Sequence, residues 1–181
     1  MTSFRGGRRR SRDAEQPPPD AEVALETATR YLATRPRTRW EIERRLRRAG
    51  ADDEVVAATI DRLARIGLVD DVAFARWWAE QRDRHAPRGR RMVEAELRQR
   101  GVPREVIEAL RGDELSDPVL DAEGLPATEE ERADAALGRH LKGRPLPADA
   151  RALQRIGMYL VRRGFAPDVA RSAIRRHQEA D

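Results

Sequence analysis

Three times along this chain an apolar helical register closes in the same way. LRRAG (Leu46–Gly50), LRQRG (Leu97–Gly101) and LVRRG (Leu160–Gly164) each end on a glycine. Eight residues before that glycine stand Ile42, Val93 and Ile156, and four before it stand Leu46, Leu97 and Leu160. That spacing puts each pair on one helix face. The glycine then supplies the left-handed residue that ends a helix. Five residues after it stand Val55, Val106 and Val169. Upstream, Phe74 and Trp78 match Leu137 and Leu141, while Ala28 and Leu32 take those places in the first unit over a shorter connection. No segment alternates with the period of a strand. The pattern predicts an all-α chain of three tandem three-helix repeats. Burying one leucine or isoleucine contributes roughly 1.5–3 kcal/mol. About three or four such residues per helix barely offset the chain entropy of a lone unit. The units must therefore stack, giving an elongated, curved, solenoid-like body.

Repeat 1 is assigned to residues 21–68, repeat 2 to 69–111 and repeat 3 to 129–181. Residues 1–20, with RGGRRRSR and then QPPPD, read as a disordered basic leader. Residues 112–128, rich in proline, glycine and acid, read as an acidic flexible insert. Thr38 and Glu41 have the spacing of a capping box. Asp52 or Asp53 starts the next helix, and Asp70 or Asp71 caps the helix carrying Phe74 and Trp78. Gly89 opens a helix with Met92, Val93 and Leu97 inward. Of Trp77 and Trp78, one is expected in the core and the other exposed and free to stack.

Chemistry is harder to find. The chain has no cysteine, and His85, His140 and His177 are scattered without metal-ligand spacing. There is no glycine-rich phosphate loop and no serine beside a base. No catalytic residue, metal site or cofactor is expected, and the chain reads as a non-enzyme. No apolar run approaches the ~20 residues of a membrane span, and the charged N-terminus lacks the apolar core of a secretory signal. A cytoplasmic protein with no membrane partner is expected.

Charge is unevenly spread. The formal net charge is +4, but residues 112–131 hold eight acids and no base. The remaining folded segments are therefore basic, which is a footprint for a polyanion. Pro87–Gly101 alone carries five arginines. Glu94–Arg98, Glu96–Arg100, Glu41–Arg45 and Glu43–Arg47 are four apart, with the acid on the favourable N-terminal side. Arg90 has only the poorer orientation toward Glu94, and Arg88 and Arg91 have no acid on their own helix. These three crowd a helix start that already carries partial positive charge. The arrangement suits an anion held by backbone N–H groups and guanidinium forks. Arg82 and Arg84 add to the cluster. Arg44 and Arg48 form an outward stripe on the first unit, and Arg162 and Arg163 mark the corresponding place on the third. Two readings follow from the residues: a general nucleic-acid-binding helical repeat protein, or a protein–protein scaffold whose arginines confer solubility.

Four stretches together resemble the family of the regulatory protein RecX, which modulates the recombinase RecA. They are RTRWEIERRLRRAG (37–50), GLVDDVAFARWWAEQR (67–82), GRRMVEAELRQRGV (89–102) and MYLVRRGFAPDVARSAI (158–174). The resemblance spans roughly residues 22–111 and 130–176. It implies tandem three-helix repeats that bind the groove of the RecA–single-stranded DNA filament, inhibiting ATP hydrolysis and strand exchange in recombination and repair. It implies a monomer whose partners are that filament and single-stranded DNA, with double-stranded DNA as a further candidate. Arg88, Arg90, Arg91, Arg98 and Arg100 lie in the matching motif and are the first candidates for contact. Arg82, Arg84, Arg44, Arg48, Arg162 and Arg163 follow. The leader and the acidic insert depart from the family pattern.

Overall fold

The computed structural model describes residues 19–110 and 128–180, and all regular structure among them is helical. The leader and the acidic insert fall outside the described residues except at their ends. The first unit holds α1 (Ala21–Leu32), α2 (Arg39–Arg48) and α3 (Asp53–Arg65). The second holds α4 (Asp71–His85), α5 (Arg90–Gln99) and α6 (Arg104–Ala109). The third holds α7 (Glu129–Leu141), α8 (Ala150–Arg162) and α9 (Pro167–Ala180).

Local chemistry sets the helix starts. Thr38 and Glu41 make the expected capping box on α2, and Thr128 with Glu131 makes another on α7. Asp52 caps α3, and Asp70 rather than Asp71 caps α4. Gly89 opens α5 with no side-chain cap. Each unit buries its own small core. Ile42 and Leu46 pack with Ala28, Ile60 and Leu63 in the first. Val93 and Leu97 pack with Phe74, Trp78 and Ile107 in the second. Ile156 and Leu160 pack with Leu137, Phe165 and Ala173 in the third. The recurring apolar positions are thus the inner faces of α2, α5 and α8, the middle helices. Trp78 is buried and Trp77 half-buried against the same core, so neither is a free stacking surface; the exposed tryptophan is Trp40.

The units join by one device used twice. The start of each middle helix rests on the glycine that ends the middle helix of the next unit. Trp40 of α2 lies so close to Gly101 (φ +74°) that a β-carbon there would come within 2.4 Å of the Trp40 Cβ. Met92 of α5 lies against Gly164 (φ +93°), where a β-carbon would meet its Cβ at 2.6 Å. Hydrogen bonds follow the same logic. The Thr38 hydroxyl donates to the Arg100 carbonyl at 2.6 Å, and the Gly89 N–H donates to the Arg163 carbonyl at 2.9 Å. A helix N-terminus meeting a helix C-terminus pairs orphan donors with orphan acceptors and aligns the two dipoles.

A carboxylate from the neighbouring unit completes each joint. Asp71, the first residue of α4, accepts from the Arg39 N–H that begins α2 at 2.9 Å. Glu129, the first residue of α7, accepts from the Arg90 N–H that begins α5 through both oxygens, at 3.0 and 3.1 Å. The anion expected at the start of α5 is therefore supplied by the protein itself, because stacking brings Glu129 onto those donors. α8 breaks the series. It begins fourteen residues before its glycine, against eleven for α2 and α5.

These joint carboxylates carry a pH signature. Burial pushes Asp71, Asp83 and Glu129 above the ordinary carboxylate range. The donated Arg39 and Arg90 N–H groups oppose this for Asp71 and Glu129, and Arg132, 3.0 Å from Asp83, opposes it there. A native pKa above the unfolded one means the folded state takes up the proton first. The contribution is full below the unfolded value and is lost as pH rises through the native one. The wild-type Tm minus that of the Asp71→Asn, Asp83→Asn, Glu129→Gln variant is expected to grow as pH falls from neutrality toward the unfolded carboxylate value of about 4. Thermal unfolding followed by circular dichroism checks this; a difference that shrinks over that interval contradicts it.

Candidate functional site

The candidate arginines divide into those the fold engages and those it leaves in solvent. Arg44, Arg48, Arg90, Arg91 and Arg162 are exposed, and none makes a side-chain ion pair among the described residues. Arg44 stacks on the exposed Trp40, its guanidinium carbon 5.0 Å from the ring centroid. Arg98 pairs with Glu94 and Arg84 with Glu80, each one helical turn away. Glu43 holds Arg47 as the spacing predicts.

Two expected pairs are replaced. Glu41 does not hold Arg45: its oxygens serve the capping box, Arg35 at 2.9 Å and Arg100 at 2.9 Å. Glu96 does not hold Arg100. It accepts from the Trp78 indole N–H at 2.8 Å and from Arg82 Nε at 2.8 Å, and it pairs with Arg88. Arg88 was expected without an acid and finds one eight residues along the chain. The cause is burial. An indole N–H inside a core requires an acceptor, and a half-buried ion pair is screened less than an exposed one. The fold therefore turns Glu96 inward and leaves the C-terminal end of α5 to the first unit.

The result is a line of guanidinium groups across both joints. Arg35, in the turn after α1, lies near Arg100, which caps α5; Arg100 lies near Arg82 in the last turn of α4. Arg82 in turn lies near Arg88, and Arg88 near Arg163, which caps α8. Arg163 also donates to the Pro87 carbonyl at 3.2 Å and stacks over Tyr159. Two carboxylates hold four of these five cations, Glu41 taking Arg35 and Arg100 and Glu96 taking Arg82 and Arg88. Burial, followed by mutual repulsion, lowers the pKa of Arg88; burial alone lowers that of Arg82. Burial also lowers Arg100, with Glu41 opposing and Arg35 and Arg82 reinforcing. All three remain charged, since a guanidinium does not titrate in proteins. Collecting them has a free-energy cost that a bound anion would remove.

Along this line a cleft of about 320 Å³ opens beside α4 and α5, lined by Trp78, Arg82, Glu96, Gln99 and Arg100. Arg82, Arg88, Arg100 and Arg163 were legible as candidates. Arg35, Glu41 and the Glu96 hub were not, because their roles arise only where units meet. Among the described residues no cluster of acids and histidines has the form of a metal site, and no helix is long and apolar enough to cross a membrane.

Comparison with known proteins agrees with this architecture. The family model described as "RecX, first three-helix domain" matches residues 24–63, and that described as "RecX, second three-helix domain" matches residues 70–110. The chain is 36% identical over 184 residues to the regulatory protein RecX of Thermobifida fusca, covering 95% of this chain and 92% of the relative. It is 34% identical to that of Mycolicibacterium smegmatis, over 89% and 82% of the two chains. Among solved structures, RecX from Lactobacillus salivarius superposes with a TM-score of 0.69 at 18% identity, covering 88% of this chain and 97% of that one. A second structure, of a regulatory protein RecX, gives 0.63 at 22% identity, over 84% and 72%. The repeated glycine joints, the three matched cores and this similarity over nearly the full length place the chain in the RecX family of regulatory proteins.

Proposed function

We propose that this chain is a non-enzymatic cytoplasmic regulator that binds the RecA–single-stranded DNA filament and suppresses its ATP hydrolysis and strand exchange. The observation that supports this most directly is the guanidinium line from Arg35 through Arg100, Arg82 and Arg88 to Arg163. It crosses both joints of the stacked body, from the turn after α1 to the end of α8. Oriented guanidinium groups recognise phosphate and carboxylate alike, which fits a partner made of both nucleic acid and protein. The exposed Arg44, Arg48, Arg91 and Arg162 extend the basic surface.

Titration into a recombinase–single-stranded DNA filament tests the reading. ATP turnover is expected to fall at less than one copy per recombinase subunit. Replacing Arg44, Arg48, Arg91 and Arg162 together with glutamine is expected to weaken suppression at least tenfold, about 1.4 kcal/mol, with the helical signal unchanged. Full suppression by that variant excludes those four from the contact, and undiminished turnover with the wild type refutes the reading. A general nucleic-acid binder behaves differently. Through about six phosphate contacts it loses roughly a thousandfold in affinity for free DNA between 50 and 200 mM salt and leaves filament turnover untouched.

A further inference from the structure

We propose that the cleft lined by Trp78, Arg82, Glu96, Gln99 and Arg100 is a phosphate-ester subsite; the inference rests on the reading of the guanidinium line as a polyanion contact. Two cations stand against one ring here. The guanidinium carbons of Arg82 and Arg100 lie 4.3 and 3.8 Å from the Trp78 centroid. Stacking fixes their planes. Glu96 then fixes Arg82 by its inner nitrogen, Nε, and leaves both terminal nitrogens without an acceptor among the described residues. Arg100 gives Nη1 to Glu41, while its Nη2 and its buried Nε have no acceptor there. Desolvated donors left without an acceptor are unfavourable, so the terminal nitrogens of Arg82 and Arg100 leave this cleft poised for an acceptor from outside.

The geometry favours phosphate over carboxylate. The free donors come from two separate guanidinium planes, Nη1 and Nη2 of Arg82 and Nη2 of Arg100, so no single planar carboxylate can take them all. A tetrahedral oxyanion offers oxygens in several directions and suits such a set. The volume lies near the lower end of the roughly 300–1,000 Å³ range of small-ligand sites, more than a lone carboxylate fills. Gln99 is the discriminating residue. Two positions before the closing glycine, the other units carry Arg48 and Arg162, whereas this one carries a neutral amide. A third guanidinium beside Arg82 and Arg100 would add repulsion; the amide adds a donor without charge.

Two sources share this chemistry, a nucleic-acid backbone and a free nucleotide. One arm of the test measures anisotropy of a labelled twenty-residue oligo(dT), and the other measures pyrophosphate binding by calorimetry, both on the full chain. Gln99→Glu places a carboxylate at the mouth and is compared with Gln154→Glu, the same change at an exposed position on α8. Gln99→Glu is expected to weaken oligo(dT) roughly tenfold and to reduce the salt slope by about 0.7, the value for one single-strand phosphate. Gln154→Glu should stay within about twofold, and Gln99→Lys should tighten binding. Loss confined to the pyrophosphate arm assigns the subsite to a free nucleotide. Equal behaviour of the two glutamate variants in both arms, or no binding of either probe by the wild type, overturns the subsite. Continued suppression of filament ATP turnover in that case leaves the regulatory reading standing, and absent suppression with the subsite intact removes that reading alone.

Discussion

Gly89→Ala is expected to pry the second and third units apart. The backbone at Gly89 is ordinary, so the new methyl meets no conformational penalty of its own. It meets the neighbouring chain instead: its carbon would lie 2.2 Å from the Gly164 carbonyl carbon and 2.3 Å from the Phe165 nitrogen. Backbone cannot rotate away as a side-chain tip can. The joint must open, losing the Gly89 N–H to Arg163 carbonyl bond and the grip of Glu129 on the Arg90 N–H. Overpacking of this kind costs about 1–3 kcal/mol in cores where side chains can still shift, and here the loss should reach or exceed the top of that range. Gly50→Ala isolates the other component. Gly50 has φ +89° but nothing nearer its would-be β-carbon than Pro19 Cδ at 3.8 Å, so only the left-handed backbone cost of about 1–2 kcal/mol applies. Thermal unfolding should rank Gly89→Ala as the more destabilising change. Small-angle scattering should show a larger radius for Gly89→Ala alone. Equal radii for the two variants would mean the third unit is not held through this contact.

Leu97→Ala is expected to cost about 2–5 kcal/mol and to unfold the middle unit. Leu97 is wholly buried among Phe74, Val93, Val102 and Ile107. With so few large side chains in each core, neighbours cannot collapse into the space. The same unit presents Arg82, Arg88 and Arg100, so filament suppression should be lost together with structure. Leu160→Ala removes an equally buried leucine from the third core, yet leaves the Arg35–Arg100–Arg82 part of the line in place. It should therefore destabilise comparably while retaining part of the suppression. Chemical denaturation monitored by circular dichroism, with filament ATP turnover in parallel, separates the two.

Much of the architecture is readable along the chain because it is set by near neighbours. Ile42 with Leu46, Val93 with Leu97 and Ile156 with Leu160 each lie four residues apart, and helical geometry alone puts such pairs on one face. The Thr38–Glu41 box and the Asp70 cap follow from the same short range. Pairs one turn apart were read correctly where the arginine stays in solvent, as with Glu94–Arg98 and Glu43–Arg47. They were misread where a joint or an indole competes. Glu41 was drawn to Arg35 and Arg100, fifty-nine residues away in the second case, and Glu96 to Trp78, Arg82 and Arg88.

Periodicity and capping chemistry in the chain itself therefore determined the helices, their apolar faces, the closing glycines and the excess of arginine. Those depend on interactions within a few residues, whose geometry is the same in every helix. Only the tertiary structure decided which arginines are engaged, that Glu129 fills the start of α5, and that Arg35 and Arg163 extend one cationic line across two joints. Charge partners are chosen by burial and distance in space, and residues far apart in sequence come within reach only when the units stack.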